Sequence, residues 1–272
     1  MKAEKAVGRG FKGGEGERNL PSPSTLIPSL PETPVRGTIL QYLIHSSRRD
    51  KLKIFIENLI VNGCPFREKC RREAELEYRN IGKKKFEDSF FPRGIYFNNH
   101  NLSRIKIMVV ADNPGPRLKG ESKTFNNLDE PIDNWRKTIL SKKGTHFMRM
   151  LSNPIIPFVA TKFYRKTMKL KEALDLIYFT QQTKCGGFES TNVPWSIRGR
   201  CFDNYLKKEI EMIKPRFILA LGRKVYDALS FYFHGNDSIK ICWIHHPSYL
   251  ARQKSKIKED LKRVEKCLLS SN

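Results

Sequence analysis

The chain has 272 residues and carries 51 Lys and Arg against 28 Asp and Glu, a formal net charge of +23. This surplus predicts a polyanionic partner, nucleic acid first, with an anionic membrane surface or an RNA-rich assembly as the alternative. No apolar run approaches the roughly 20 residues that span a bilayer, and the first ten residues lack the apolar core of a secretory signal. These features argue against a membrane or secreted protein. They predict a monomer in the cytoplasm or nucleoid, or in the nucleus of a eukaryote.

The six cysteines of the chain bear on the same question. In an intracellular protein we expect them to be reduced thiols. A group of cysteines then indicates a metal site more readily than a set of disulfides.

The first 35 residues differ in composition from the rest. They contain five Gly and five Pro and show no sustained periodicity, which predicts a flexible basic tail. From residue 36 the pattern becomes helical, and its apolar face comprises Leu52, Phe55, Ile56, Leu59 and Ile60. We expect a single α/β domain over residues 36–272.

Four apolar runs predict strands, at residues 105–111, 174–180, 217–221 and 239–244. Residues 90–100, ahead of the first run, are typical of a loop or a short edge strand. Helical patterns lie between the runs, and an amphipathic helix is predicted at the end of the chain. Strands that alternate with helices predict a three-layer α/β/α fold around a central, mainly parallel four-stranded sheet.

The first strand runs into a polar turn, Asp112-Asn113-Pro114-Gly115-Pro116. Ligands of open α/β sheets bind beyond the carboxyl ends of the strands. A carboxylate and a carboxamide therefore stand where chemistry is expected. An ordinary strand-end turn, in which Asp and Asn are common, is the alternative.

Residues 135–171 hold ten Lys or Arg and no Asp or Glu. The same segment carries Phe147, Phe158, Phe163 and Tyr164. We interpret residues 126–172 as a basic insertion whose aromatic rings can stack on bases while its cations track phosphates. The alternative is a helical segment with a solvated basic face and aromatic rings turned to the core.

A second polar motif, His245-His246-Pro247-Ser248, follows the last predicted strand. It lies at the same edge of the sheet as the Asp112–Asn113 turn. A histidine there can donate a hydrogen bond to an oxygen that gains negative charge. A strand-end histidine pair bonded to backbone carbonyls is the alternative.

With both motifs in place, the chain resembles the uracil-DNA glycosylase superfamily and is most similar to its iron–sulfur class, often called family 4. The resemblance covers roughly Cys64 to the C-terminus. Asn113-Pro114-Gly115-Pro116 also resembles the Asn-Pro-Gly branches of the superfamily. The other matching segments are RGIYF at 93–97, QQTKC at 181–185, KP at 214–215, ALG at 220–222 and HP at 246–247 with YLAR at 249–252.

The resemblance implies a [4Fe–4S] cluster held by four thiolates. Cys185 and Cys201 have fifteen residues between them, the family 4 spacing for two ligands, and Cys64 and Cys70 would supply the other two. Zinc is the less favoured alternative, because neither pair has the usual zinc spacing. Cys242 and Cys267 are interpreted as separate core or surface thiols.

The resemblance also implies hydrolysis of the N-glycosidic bond of a deaminated base in DNA after the nucleotide is extruded. Phe125, fourteen residues after Ala111, would stack on the base, and Gln181 would bind its edge. Asp112 or Asn113 would position water, with a slight preference for Asp112, and His246 would stabilise the leaving group. The phosphate-binding set is Pro114, Gly115, Ser248 and Arg252.

Two substitutions separate the chain from family 4: Asp112 replaces a glutamate and Gln181 replaces an asparagine. Uracil is the favoured base, while hypoxanthine, xanthine and other damaged bases stay open. A non-catalytic iron–sulfur protein that binds nucleic acid with the same fold is the main alternative. A protein that binds free nucleotides at the same sheet edge is a more distant one.

Overall fold

The computed structural model describes residues 47–77, 90–115, 125–141, 144–186 and 193–270. The predicted tail, residues 1–35, lies outside the described residues, as does Pro116. In the described part of the chain, five strands form one sheet in the order β1-β3-β2-β4-β5. They are β1 Tyr96–Phe97, β2 Ile107–Ala111, β3 Ile177–Gln181, β4 Phe217–Leu221 and β5 Lys240–Ile244.

The sheet is mainly parallel, as predicted. Strands β3, β2, β4 and β5 run parallel to one another, and the two-residue β1 pairs antiparallel with β3. The four predicted strands are all present, and β1 adds a fifth at the edge of the sheet. The strand predicted at residues 174–180 begins later, at Ile177, because a short helix occupies Leu170–Leu174.

Helices lie between the strands and also before β1 and after β5. They are α1 Arg48–Ile60, α2 Arg67–Glu77, α3 Asp129–Leu140, α4 His146–Met150, α5 Ile156–Tyr164, α6 Leu170–Leu174, α7 Trp195–Cys201, α8 Lys207–Ile213, α9 Arg223–Tyr232, α10 Pro247–Leu250 and α11 Ser255–Leu269. Helix α1 begins at a capping box, in which the Ser47 side chain accepts from the Asp50 N–H and the Asp50 carboxylate accepts from the Ser47 N–H. Such reciprocal bonds satisfy orphan donors of the first turn.

Strand β3 shows how helices cover both faces of the sheet. Successive strand side chains point to opposite faces. Thr180 donates to the carboxylate of Glu209 on α8, whereas the Phe179 ring packs on Trp135 of α3 and Phe147 of α4. The structure therefore has the predicted α/β/α layers. Every residue of β2, β3 and β4 is buried, as expected of strands covered on both faces.

The sheet order creates a switch point between β2 and β4. The chain leaves β2 toward β3 on one side and leaves β4 toward β5 on the other, so the connections from these two adjacent strands run in opposite directions. A crevice outside the strand ends is expected at such a point. The Asp112–Asn113 turn begins there.

The basic segment 126–172 is helical in its described part, and its aromatic rings turn toward the core. Trp135, Phe147, Phe158, Phe163 and Tyr164 are partly buried against the main hydrophobic core. The second interpretation of this segment, a solvated basic face backed by core aromatics, is the one the structure supports.

One cysteine prediction is wrong. Cys242 of β5 and Cys267 of α11 are joined by a disulfide and are not separate thiols. Helix α11 packs directly on β5, and this packing brings two positions 25 residues apart in the sequence into contact.

Candidate active site at the carboxyl edge of the sheet

The first polar residue after β2, Asp112, is held in a buried ion pair. Both carboxylate oxygens accept from the guanidinium of Arg198 on α7: Nη1 donates to Oδ1, and Nη2 donates to Oδ2 at 2.9 Å. Asp112 and Arg198 are both buried. Burial raises the pKa of the Asp112 carboxyl, while the charges of Arg198 and Lys224 oppose that rise. The carboxylate is therefore fixed and compensated rather than open to solvent.

The second polar residue, Asn113, keeps more of its hydrogen-bonding capacity. Its Oδ1 accepts from the Gly115 N–H at 2.8 Å, which closes a turn of the kind that Asn favours. Asn113 is half-buried. Gly115 has a φ of +70°, and its carbonyl oxygen accepts from Arg93. The turn is thus held from the segment that precedes β1.

Gln181, at the end of β3, presents a buried amide whose oxygen has no hydrogen-bond partner in the described part of the chain. The side chain lies against Gly94: a Cβ at that glycine would be 2.9 Å from Gln181 Nε2. Gly94 has a φ of +74°. An unpaired buried carbonyl oxygen is costly, and this one lies at the carboxyl end of β3.

The buried Lys184–Glu209 ion pair supports the backbone of Gln181. Lys184 Nζ donates to the Gln181 carbonyl at 2.8 Å, to Thr180 Oγ1 at 2.7 Å and to Glu209 Oε2 at 2.8 Å. Burial lowers the pKa of Lys184 and raises that of Glu209, each against the attraction of the other. The network fixes the β3 end, which the backbone bonds Gln182 N–H to Ala111 O and Thr183 N–H to Asp112 O tie to the β2 end.

His246 follows β5 and caps α10. Its Nδ1 accepts from the Ser248 N–H at 3.3 Å, so a neutral ring carries its proton on Nε2. Burial and, to a smaller extent, the charge of Arg252 lower the pKa of His246 to about 4. The ring lies 5.3 Å from that of Phe147, which also packs on Phe179 of β3. At neutral pH His246 is an uncharged donor.

Its neighbour His245 serves a different purpose. His245 Nδ1 lies 3.0 Å from both carboxylate oxygens of Asp260 on α11, and its backbone N–H donates to Asp260 Oδ2 at 2.7 Å. Arg263 donates to the same carboxylate at 2.9 Å. This arrangement resembles the alternative predicted for the histidine pair, except that a carboxylate takes the place of backbone carbonyls.

The remaining predicted site residues lie around these groups. Ser248 is half-buried and Arg252 is exposed near His246, whereas Pro114 and Gly115 are half-buried on the β2 turn. Phe125 is only 6% exposed and belongs to the main core, so little of its ring is accessible. Its stacking role stays a prediction.

The four cysteines predicted as ligands come from separate parts of the chain and converge. Cys70, Cys185 and Cys201 are buried in one small apolar cluster with Phe90, Val193 and Ile197. The charge of each of Cys64, Cys70 and Cys201 raises the pKa of Cys185, after burial, which is the largest cause. That the four cysteines hold one cofactor stays a prediction.

Hydrogen-bond donors point at two of these sulfurs. Arg200 Nη1 lies 2.9 Å from Cys70 Sγ, and the Tyr205 hydroxyl lies 3.1 Å from Cys64 Sγ. Burial raises the pKa of Cys201 to about 12. Four thiols, two of them with donors to sulfur, suit a thiolate-bound group. Among the described residues no set of three or more His, Cys, Asp or Glu is arranged to hold a single metal ion.

Two arginines of the site were missed by sequence reasoning. Arg93 was noticed only as part of a lead-in motif, and Arg198 was not singled out. Arg198 is 86 residues from its partner Asp112, and no local pattern pairs them. A basic residue within a cysteine-bearing helix, three positions before Cys201, is the only signal, and it is weak.

No helix in the described part of the chain is long and apolar enough to cross a membrane.

Comparison with known proteins identifies the family. No curated protein matches the chain. The model of the uracil DNA glycosylase superfamily matches residues 97–268, more than half of the chain. The match contains β2 to β5, both polar strand-end motifs, Cys185 and Cys201, while Cys64 and Cys70 precede it. The chain therefore belongs to the uracil DNA glycosylase superfamily, which supports hydrolysis of N-glycosidic bonds in DNA as its general class of reaction.

Proposed function

We propose that the protein is a DNA repair glycosylase that extrudes a deaminated base, uracil in the first place, and hydrolyses its N-glycosidic bond. The observation that carries the proposal is a pair of complementary groups at one sheet edge. The Gln181 amide oxygen is buried and unpaired among the described residues, and His246 is a neutral donor fixed by Ser248. The Gln181 amide can bind the edge of an imide base, and the His246 N–H can donate to the base as it leaves.

Gln181 supplies base recognition. A carboxamide offers an acceptor and a donor, which match the N–H and carbonyl of a uracil edge. The Lys184–Glu209 pair holds the strand that carries it, and Gly94 leaves room for the longer side chain. Phe125 would stack on the extruded base. Hypoxanthine and xanthine present a similar amide edge, so the same group admits them.

His246 supplies the leaving-group donor. As the bond between sugar and base breaks, its electron pair moves onto the base, and negative charge develops on the base oxygen. A preorganised neutral donor stabilises that charge most in a site shielded from water. Because the Ser248 N–H occupies Nδ1, the Nε2–H is the group that faces the charge.

The Asp112–Asn113 turn supplies the water. Its position at the switch point supports this role, because the sugar of a nucleotide whose base reaches Gln181 would lie beside it. Gly115 and Pro114 on the same turn, together with Ser248 and Arg252, would bind the flanking phosphates. The net charge of +23 supports DNA as the partner, because phosphate contacts dominate affinity.

We also propose that Cys64, Cys70, Cys185 and Cys201 hold a [4Fe–4S] cluster, with zinc as the less favoured occupant. When bound, the cluster would contribute folding energy and join α2, α7 and the segment after β3. Purified protein should contain about four iron atoms and show the broad visible absorption of such a cluster. Cys201→Ser should lose iron and solubility, whereas Cys267→Ser should keep iron. A colourless, iron-free wild type that folds normally would contradict the cluster.

An excision assay tests the activity. Single-stranded and duplex oligonucleotides containing uracil, hypoxanthine or xanthine are incubated with excess protein, and abasic sites are cleaved with alkali. We expect cleavage at uracil first, and Gln181→Ala should lose base preference. Protein that leaves every substrate intact would contradict the proposal.

The main alternative is a non-catalytic protein that binds nucleic acid with the same fold. The observation in its favour is the pairing of Asp112 with Arg198, which occupies both carboxylate oxygens. It predicts tight, salt-sensitive DNA binding without alkali-labile products.

A further inference from the structure

We infer that the exposed side of α11 and the groove beside it bind a single-stranded DNA segment that flanks the damaged nucleotide. The cations of this surface form a lysine row that comprises Lys254, Lys258, Lys262 and Lys266. The surface is separate from the polar residues at the strand ends. The inference rests on the proposed DNA substrate, but it does not depend on base excision.

The spacing of the lysine row places its members along one side of α11. Residues four positions apart in a helix are neighbours, with about 5–6 Å between their Cβ atoms, and each such step rises about 6 Å along the axis. This rise is similar to the separation of adjacent phosphates in a single strand. All four lysines are exposed, so successive phosphates can each meet one ammonium group.

The lysine row has no acidic partner in the part of the chain that the structure describes. The acidic residues of α11 serve other cations: Glu259 pairs with Lys256 at 2.8 Å, and Glu265 pairs with Lys162 of α5 at 2.5 Å. The third acid, Asp260, is buried. Like charges four residues apart destabilise a helix. A bound polyanion would remove this repulsion.

An apolar groove with a volume of about 470 Å³ runs beside the lysine row, between α5 and α11. It is lined by Phe158, Ile257, Leu261, Glu265 and the first three lysines of the row. The charge of Glu265 is balanced by Lys162, whose Nζ lies 5.5 Å from the Phe158 ring centroid. Apolar surface beside a row of cations suits a single strand, because its unpaired bases can contact that surface while its phosphates meet the cations.

The lysine row begins near the carboxyl edge of the sheet. Asp260 of α11 accepts from the backbone N–H of His245, the first residue after β5. Further along α11, Cys267 is joined to Cys242 within β5. Helix α11 therefore runs from the carboxyl edge back along β5. The first two lysines of the row precede Asp260 and the last two follow it, so a strand that enters the catalytic edge can continue along the row.

An anionic membrane surface is the other polyanion that the charge of the chain suggests, and α11 does not suit it. A helix that lies on a membrane buries its apolar face among the lipids. The apolar residues of α11 are instead used inside the protein, where the helix packs on β5 and α5. Val264 is buried in the main core, and Ile257 and Leu268 pack against that core.

The experiment measures binding without excision, by fluorescence anisotropy of a labelled, undamaged single strand of about 20 nucleotides. The test variant replaces the first three lysines of the row by glutamine: Lys254→Gln, Lys258→Gln and Lys262→Gln. The control variant removes the same charge from exposed lysines of α1 and α8 and from the residue after α8: Lys53→Gln, Lys207→Gln and Lys214→Gln.

We expect the test variant to bind at least about tenfold more weakly than wild type at physiological salt, because three phosphate contacts are lost. The slope of log affinity against log salt should fall by about 2, since each phosphate contact to a single strand contributes about 0.7. The control variant should stay within a few-fold of wild type and keep its slope. Arginine at the three test positions keeps the charge and should restore binding.

Excision kinetics locate the row relative to the damaged base. The strand is shortened from its 5′ or its 3′ end, and kcat/KM is measured for uracil. Wild type should lose much more on shortening from one end than from the other, because the row lies to one side of the catalytic edge. The test variant should lose this difference. Equal losses of wild type from both ends would contradict a row that holds one flank.

The outcomes separate failure of the surface from failure of the proposed function. Test and control variants that bind DNA alike overturn the inference, while excision of uracil by both leaves the glycosylase function standing. A wild type that excises no base overturns that function, and weaker DNA binding by the test variant alone then still supports the surface. Vesicles that contain phosphatidylserine probe the membrane alternative: binding to them that depends on the row, with unchanged DNA binding, overturns the inference.

Discussion

The turns that follow β2 and β5 each contain two adjacent polar residues, and in each turn the two residues have different kinds of partner. The first residue is bound to a charged side chain: Asp112 to Arg198, and His245 to Asp260. In the described part of the chain the second accepts a hydrogen bond from a backbone N–H of its own turn, that of Gly115 for Asn113 and that of Ser248 for His246. At both strand ends a charged partner holds the first side chain, and the turn itself orients the second.

The two pairs differ in burial. Both partners of the Asp112–Arg198 pair are buried, whereas His245 and Arg263, the partners of buried Asp260, are each about one-third exposed. Solvent can replace a lost partner at the β5 turn but not at the β2 turn. The comparison teaches that the β2 turn depends on its ion pair for stability far more than the β5 turn does.

Breaking the two pairs should give the largest difference. Arg198→Met leaves Asp112 buried without a partner and should lower the free energy of unfolding by ~3–5 kcal/mol. Arg263→Met leaves Asp260 with His245 and should cost about 1–2 kcal/mol, the scale of one charge-assisted hydrogen bond. Urea denaturation measures both.

The paired substitution Asp112→Leu with Arg198→Met should recover most of the lost stability, because no charge remains buried. Equal losses for Arg198→Met and Arg263→Met would break the comparison between the two turns.

The two histidines of the β5 turn form a second contrast. His246→Ala removes the leaving-group donor and should lower the single-turnover excision rate by about 10²–10³-fold. His245→Ala removes a partner of Asp260 that is about one-third exposed and should lower the excision rate by less than about 10-fold. Filter-binding assays should show DNA affinity within a few-fold of wild type for both variants. Similar rate losses for His246→Ala and His245→Ala would show that His246 is not the leaving-group donor.

The protonation of His246 sharpens the same contrast. Its pKa of about 4 lies below its ordinary value of 6.5, so the unfolded chain takes up this proton more readily than the folded protein. The contribution of His246 to stability is therefore complete above about pH 6.5 and falls as the pH drops toward 4.

Nitrogen chemical shifts of the His246 ring, followed by NMR, should show a neutral ring protonated on Nε2 down to about pH 4. His246→Gln should remove this part of the pH dependence of unfolding. A midpoint near 6.5 would contradict the neutral donor.

The smallest effect concerns the end of β3. Gly94→Ala places a Cβ 2.9 Å from Gln181 Nε2 and should reduce uracil excision several-fold, besides the cost of about 1 kcal/mol or more for a left-handed residue with a side chain. Gly235→Ala is the matched control. Its φ is +77° and nothing lies within 4 Å of the added atom, so it should cost stability without loss of rate. Equal activity of the Gly94→Ala and Gly235→Ala variants would show that Gln181 does not take part in base recognition.

The fold was largely predictable because its signals are local. Apolar runs and the helices between them predicted β2, β4 and β5 within one or two residues, since strands buried on both faces leave an unmistakable composition. The start of β3 was predicted three residues too early, because Leu174 and Leu176 continue the apolar pattern of the strand although Leu174 ends a helix and residues 175–176 form a turn. Packing, rather than propensity, decides such short apolar segments.

The site was predicted in position but not in the state of its groups. The sequence placed Asp112, Asn113, Gln181 and His246 at one edge, because parallel strands end together. It left the water ligand open between Asp112 and Asn113, with a slight preference for Asp112, and nothing near position 112 indicates Arg198. The disulfide between Cys242 and Cys267 was not predicted for the same reason. The two cysteines lie on different elements, and their contact follows from how α11 packs on β5.

The sequence by itself determined the strands, the polar residues at their ends, the cysteine spacing and the basic character of the chain, all of which are properties of neighbouring residues. The tertiary structure alone decided which of those polar residues are paired and which are free. Pairing depends on side chains that are distant in the chain, such as Arg198 and Asp260, and on the burial that shifts the pKa of His246 and Asp112. Charge interactions and desolvation act through space, so local sequence patterns do not reveal them.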